Sequence, residues 1–204
     1  DVATVNRLDL LRRAGTYHAV GHPPLVLGAE GAGVVRQVGS RVADIRPGDR
    51  VFGSGGRPGW YAERVAVPRR RLAVAPADLP ARDLAQLPVA WTTAWHSLTR
   101  LARVNAGATV LVFAAASGVG HAATQLAVHL GARVLGVVGG QAKASAVRRA
   151  GAERVIDRTR EDVAAALADT AADVVLDLVG GATFTLAVRA AGPHAHVVAA
   201  ANVA

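Results

Sequence analysis

The chain has no cysteine, no methionine and a single lysine, Lys143, against 22 arginines. Without cysteine there are no disulfides, no thiolate nucleophile and no zinc site built wholly or partly from thiolates, so metal chemistry would fall to histidine and carboxylates alone. Long apolar runs are missing as well. The stretches "TVLVFAAA" and "DVVLDLV" fall far short of the roughly 20 residues that span a bilayer, and no membrane span is expected. No secretory or lipidation signal is recognisable, so the expected location is cytoplasmic.

What is present suits a folded enzyme or binding domain. With 204 residues and 51% hydrophobic composition, the chain can bury one large core or two small ones. Its formal net charge of +8 permits a nucleic-acid partner. The arginines, however, are scattered from Arg7 to Arg189, and the one dense cluster is "PRRR" at residues 68–71. A general preference for arginine over lysine explains that spread better than a nucleic-acid footprint. Neither nucleic acid nor membrane is expected as a partner.

Three patterns follow one another along the chain. From Leu25 to about Val74, apolar runs are cut by glycine, as in "LVLGAEGAGVVRQVGSRV", "RPGDRVFG" and "WYAERVAV". Gly, Pro and Asp at such intervals predict tight turns between short strands, hence a small β-barrel or sandwich. Between Ala77 and Ala102 apolar residues recur every three or four positions, which predicts helices. From Thr109 onward strands and helices alternate. "TVLVFAA", "RVLGVVG", "RVI", "DVVLDLV" and "HVVAAA" read as five strands, with "GHAATQLAVHLGA", "QAKASAVRRAGA", "REDVAAALAD" and "ATFTLAVRAA" as helices between them. Such alternation requires parallel strands with right-handed crossovers, so this half is a doubly wound α/β sheet.

The strand "TVLVFA" runs through "AASGVG" into a helix, an arrangement that sets a pyrophosphate on a helix N-terminus. Against the pattern G-x-G-x-x-G the positions are Ala115, Ser117 and Gly120, so only the third is glycine. Taken alone, "SGVG" could equally be a plain strand-to-helix turn.

Several segments, in order, nevertheless resemble one family. "VNRLDLLRRAGTY", "LGAEGAGVVRQVGSRVADIRPGDRVFG", "WTTAWHSL", "VLVFAAASGVGHAATQLAVHLGARVLGVVGG" and "GAERVID" are similar to segments of the medium-chain dehydrogenase/reductase superfamily, in its zinc-independent quinone oxidoreductase branch, which includes ζ-crystallin. The resemblance implies a GroES-like β-barrel catalytic domain over residues 1–80, and a Rossmann NADP-binding domain with its crossover helices over 81–204. It also implies that both are incomplete. The barrel would lack its first strands, and the Rossmann domain its sixth strand and the return to the barrel. A homodimer is expected of the full-length protein.

Zinc-dependent members of that superfamily carry a Gly-His-Glu motif, which here reads "LGAEGAG", with Ala29 at the histidine position and Glu30 retained. Without cysteine, a metal-free hydride transfer is expected. His18 and His22, and His194 and His196, form pairs without a third ligand and are read as surface or loop residues. Glu30 is read as a structural hydrogen-bonding group rather than a proton carrier.

NAD-specific folds place an acid at the end of the second strand, where it accepts hydrogen bonds from the adenosine ribose. Here that place holds Gly139 and Gly140, which leave room for a 2′-phosphate and do not repel it. Lys143 follows in the next helix. By resemblance it contacts the 2′-phosphate, and Arg158, where relatives commonly have Tyr, adds a forked cation. The cofactor is therefore expected to be NADP(H), held by Ser117, Gly118, Val119, Gly120, Gly139, Lys143, Arg158 and Asn202.

For the reacting end, the resemblance implies Asn6, Tyr17 and Thr93. Asn6 would orient the carboxamide or polarise a carbonyl, or else merely cap a turn. Tyr17 remains from a pair of tyrosines of which Leu11 replaces the first. Trp91 and Trp95 are read as packing residues. The expected reaction is hydride transfer from NADPH to a quinone or to the β-carbon of an α,β-unsaturated carbonyl. Two rivals stand beside it: an enoyl reductase of polyketide-synthase type, although "VNRLDLLRR" lacks the "NFRD" expected there, and a non-catalytic NADPH-binding protein, crystallin-like or RNA-binding.

Overall fold

Alternating valine and leucine with aromatic closure makes Thr109–Phe113 a strand buried at every position, and the second half of the molecule is built around it. A computed structural model describes residues 1–17, 24–55 and 59–200. The chain divides into two units, Asp1–Val89 and Ala90–Ala204.

In the first unit, β1 (Val2–Ala3), β2 (Glu30–Val34), β3 (Arg50–Ser54) and β4 (Leu72–Val74) form an antiparallel sheet in sequential order. Helix α1 (Arg7–Arg13) leads away from β1. Helix α2 (Ala81–Leu84) buries Leu84 and the following Ala85 against Ala32 of β2. The expected strand in "WYAERVAV" does not form. Residues 61–66 are exposed at every position, so no buried face exists for an alternating strand to serve.

In the second unit, β5 (Thr109–Phe113), β6 (Arg133–Val138), β7 (Arg154–Asp157), β8 (Ala172–Asp177) and β9 (Ala191–Ala199) form a parallel sheet in the order β7-β6-β5-β8-β9. All five predicted strands are present. Alternate residues of β5 enter opposite cores. Val110 and Val112 pack with Ala123, Leu126 and Ala127 of α4 (Gly118–His129) and with Ala94 and Leu98. Leu111 and Phe113 pack with Ile156, Val175 and Ala187 of α7 (Ala182–Ala190). Each fully buried Leu or Phe contributes about 1.5–3 kcal/mol by leaving water. The chain reverses its direction of growth between β5 and β8, and ligands of such sheets bind at that switch point, beyond the strands' C-terminal ends.

The predicted crossover helices are irregular. Around the short α3 (Thr92–Trp95) lie two wide π turns, Leu87–Trp91 and His96–Leu101. Pro88 has no N–H to give to a regular ladder, which accounts for the first. Helix α5 (Gln141–Arg149) is as expected. Helix α6 shrinks to Val163–Ala166, capped by Asp162, whose side chain accepts from the Ala165 N–H at 2.9 Å. Among the described residues no helix is long and apolar enough to cross a membrane.

Candidate nucleotide-binding site

The turn after β5 is made by local constraints. Ala114 turns the chain at φ 51°. The Ser117 N–H then donates to the Ala114 carbonyl at 2.8 Å, and Ser117 caps α4 by accepting the Gly120 N–H on its Oγ at 3.1 Å. Gly118 and Val119 occupy the first helical positions, whose N–H groups have no carbonyl within the helix to bond and point out of its positive end. Gly120 brings helix and strand into contact, since a Cβ there would stand 2.3 Å from the Ala114 carbonyl oxygen. Ala115, at the first glycine position of the pattern, is fully buried and fits because β6 carries Gly136 opposite. A Cβ on Gly136 would meet the Ala115 Cβ at 3.0 Å. Ser117, Gly118, Val119 and Gly120 thus form one turn.

A second cluster gathers at the end of β6. Gly139 faces Arg158, and a Cβ on Gly139 would meet both Nε and Nη2 of the guanidinium at 3.1 Å. Gly140 sits at φ +117°, a backbone that side chains rarely adopt. Lys143 lies in the first turn of α5, exposed. Beneath them is a residue that motif reading passed over. Asp157, the last residue of β7, is 5% exposed and accepts on Oδ1 from the N–H of Gly140 at 2.8 Å, the N–H of Thr159 at 3.1 Å and the Thr159 hydroxyl at 2.7 Å. The Thr159 hydrogen bonds hold its carboxyl below the usual aspartate range.

In the first unit, Asn6 belongs to a buried polar network. Glu30, 1% exposed, accepts on Oε1 from the Thr4 hydroxyl at 2.6 Å and the Asn6 amide at 2.7 Å, and on Oε2 from the Val89 N–H at 2.7 Å. A carboxylate at 2.7 Å requires the amide nitrogen of Asn6 on that side. Its second N–H faces the Thr4 hydroxyl at 3.4 Å, so both donors are engaged, while its side chain also belongs to a capping box with the backbone N–H of Asp9. Asp9, also buried, accepts from the Asn6 N–H at 3.0 Å, the Gly28 N–H at 3.3 Å and the Tyr61 hydroxyl at 3.0 Å. Burial and the bond to Asp9 push the Tyr61 phenol up to about 12. The pattern N-x-x-D contained the signal for Asp9, a side chain three residues into a helix reaching back to its cap. Nothing local in the sequence announced Thr4 or Tyr61.

Tyr17 follows α1 with its ring beneath the Arg12 guanidinium, 5.4 Å from the ring centre. Thr93 is half-buried on α3. Asn202, His18 and His22 fall outside the described residues. His194 and His196 are exposed on β9. In the "PRRR" cluster, Arg69 is committed to Asp44, with Nη2 at 2.7 Å, and to the Leu72 carbonyl at 2.6 Å. The residues do not fit zinc. The chain has no cysteine, Ala29 is a buried methyl, and Glu30 is occupied by three donors. Among the described residues no three His, Asp or Glu side chains gather to hold a metal.

Two protein families match, in chain order. Residues 1–77 match the Alcohol dehydrogenase GroES-like domain, and residues 118–204 match the family described as Zinc-binding dehydrogenase. The 2-haloacrylate reductase of a Burkholderia species is 38% identical over 184 residues, covering 86% of this chain and 55% of that protein. A probable quinone oxidoreductase of Leishmania amazonensis is 36% identical over 200 residues, covering 96% and 58%. Polyketide synthase GfsB of Streptomyces halstedii is 38% identical over 177 residues, 87% of this chain and 3% of that one. Among solved structures, mycobacterial Rv1454c complexed with NADPH superposes with a TM-score of 0.87 at 33% identity, covering 96% of this chain and 62% of that one. The chain therefore spans little more than half the length of its single-enzyme relatives. Both halves of the fold and these identities place it: the chain belongs to the medium-chain dehydrogenase/reductase superfamily, among quinone oxidoreductase-like homologues.

Proposed function

We propose that the chain is the cofactor-holding part of a metal-free, NADPH-dependent oxidoreductase that reduces a small quinone or the β-carbon of an α,β-unsaturated carbonyl. The observation that carries the reading is the end of β6, where Gly139 replaces an acid and lies under the Arg158 guanidinium, with Lys143 in the first turn of α5. A phosphate suits that place and a carboxylate-held ribose does not.

The residues divide the work by chemistry. Gly118 and Val119 offer N–H groups to a pyrophosphate, with Ser117 holding the turn and Gly120 admitting the close approach. Lys143 and Arg158 bind the 2′-phosphate, one as a point charge and one as a fork. Bound nicotinamide supplies the hydride. Asn6, with both N–H groups held by Glu30 and Thr4, acts through its carbonyl oxygen and accepts a hydrogen bond from a carboxamide. Thr93 is assigned to the same end, and Asn202 to the cofactor. Tyr17 or solvent returns the proton to the reduced product. The whole protein is expected to be a cytoplasmic homodimer.

The test is the dissociation constant of NADPH against NADH, read by tryptophan quenching, with and without Lys143→Ala. A preference for NADPH that falls about tenfold in the variant supports the reading, and equal binding of the two nucleotides overturns it. The similarity to polyketide synthase GfsB favours a second reading, an enoyl reductase acting on a carried acyl chain. Faster reduction of an acyl thioester than of any free quinone would select it.

A further inference from the structure

We infer that Asp157 is a positioning residue for phosphate discrimination: its single bonded oxygen ties the β6–α5 turn to the loop that presents Arg158. This deepens the NADPH reading and rests on it. The backbone of Arg158 is held from several sides. Its N–H donates to the Val138 carbonyl at 3.0 Å, continuing the β6–β7 register of Val138 with Asp157. The Asp157 carbonyl accepts from the N–H groups of Arg160 at 2.9 Å and Glu161 at 3.0 Å, while the Asp157 N–H donates to Glu161 Oε1 at 3.1 Å. Residues 157–161 therefore form a closed loop with Arg158 leaving it into solvent.

The side chain of Asp157 adds the link that backbone cannot. Oδ1 receives Thr159 from within the loop and Gly140 from the neighbouring turn, at 2.7 and 2.8 Å. Gly140 is the residue at φ +117° that sends the chain from Gly139 into α5 and toward Lys143. One oxygen thus fixes the positions from which both cations reach, and it keeps Gly139 against the guanidinium. Oδ2 is buried without a hydrogen-bond partner. An asparagine can keep every Oδ1 bond, and it removes a negative charge from beside the phosphate. Alanine removes the link.

The test measures Kd for NADPH and for NADH in the unaltered protein, Asp157→Ala and Asp157→Asn, with thermal unfolding of each variant. Asp157→Ala is expected to weaken NADPH about tenfold while NADH changes less than about twofold, and Asp157→Asn is expected to keep or tighten NADPH. Amide exchange at Gly140, read without nucleotide, should be slow in the unaltered protein and Asp157→Asn and fast in Asp157→Ala. If the unaltered protein prefers NADPH but Asp157→Ala weakens both nucleotides equally, Asp157 is structural only and the inference is overturned. An Asp157→Asn variant that loses NADPH like the alanine variant overturns it too. Equal binding of both nucleotides by the unaltered protein sinks the cofactor reading itself, and the discrimination with it.

Discussion

The guanidinium of Arg158 lies so close over Gly139 that a methyl group on that glycine would touch Nε and Nη2 at 3.1 Å. The two residues are far apart in the chain and belong to adjacent parallel strands' ends. Their contact puts a permanent cation at the spot where a ribose-binding acid would have to stand.

Gly139→Asp should therefore reverse cofactor preference. The new carboxylate would pair with Arg158, repel a 2′-phosphate and accept from ribose hydroxyls. NADPH is expected to weaken by about tenfold or more, with NADH tightening. Paired titrations with the two nucleotides check it. Unchanged NADPH binding would mean that Arg158 does not meet the phosphate.

Gly120→Ala should destabilise the second unit. Its Cβ would stand 2.3 Å from a backbone oxygen, so strand and helix must part, at a cost of about 1–3 kcal/mol. At Gly118, by contrast, the nearest atom is the Ala90 Cβ at 3.7 Å, and alanine should leave stability unchanged or raise it by less than about 1 kcal/mol. Urea unfolding of the two variants separates them.

Glu30→Gln should cost about 1–3 kcal/mol of stability in the first unit. Three donors converge on two oxygens, and an amide would set its own N–H groups against one of them. Denaturant unfolding reads the loss. A neutral outcome would show that the network rearranges freely.

Tyr61 gives a pH signature. Its folded-state value of about 12 lies above the ordinary value of about 10. The stability it contributes is therefore fully present below about pH 10 and is lost as pH rises through 12. A tyrosinate absorbance titration should show one late-ionising phenol, absent in Tyr61→Phe.

Turnover on a quinone or enone should survive an added metal chelator, because the ligand set does not suit zinc. Loss of activity that zinc restores would refute the metal-free mechanism.

The second unit was readable because its signals are local. Strands β5 to β8 are apolar runs buried at most positions against the helices, while β9, which carries Pro193, His194 and His196, is only partly buried. The first unit was less so. Its strands carry Gly and Ala, and "WYAERVAV" has β-forming residues without a face to bury. At the site, Ser117 to Gly120 follow from one motif, and Gly139 with Lys143 from the spacing after β6. The rest came from contacts between segments distant in sequence. Asp157 reaching Gly140, Tyr61 reaching Asp9 and Val89 reaching Glu30 are set by tertiary approach, which no window of residues encodes.

The meeting of Thr4, Asn6 and Val89 on one carboxylate also bears on how the first unit comes apart. Its opening residues and its closing residue share an anchor, so fraying at either extremity releases a donor from the same buried acid and loosens the hold on the other. The two extremities are then expected to open as one cooperative event rather than to peel away independently.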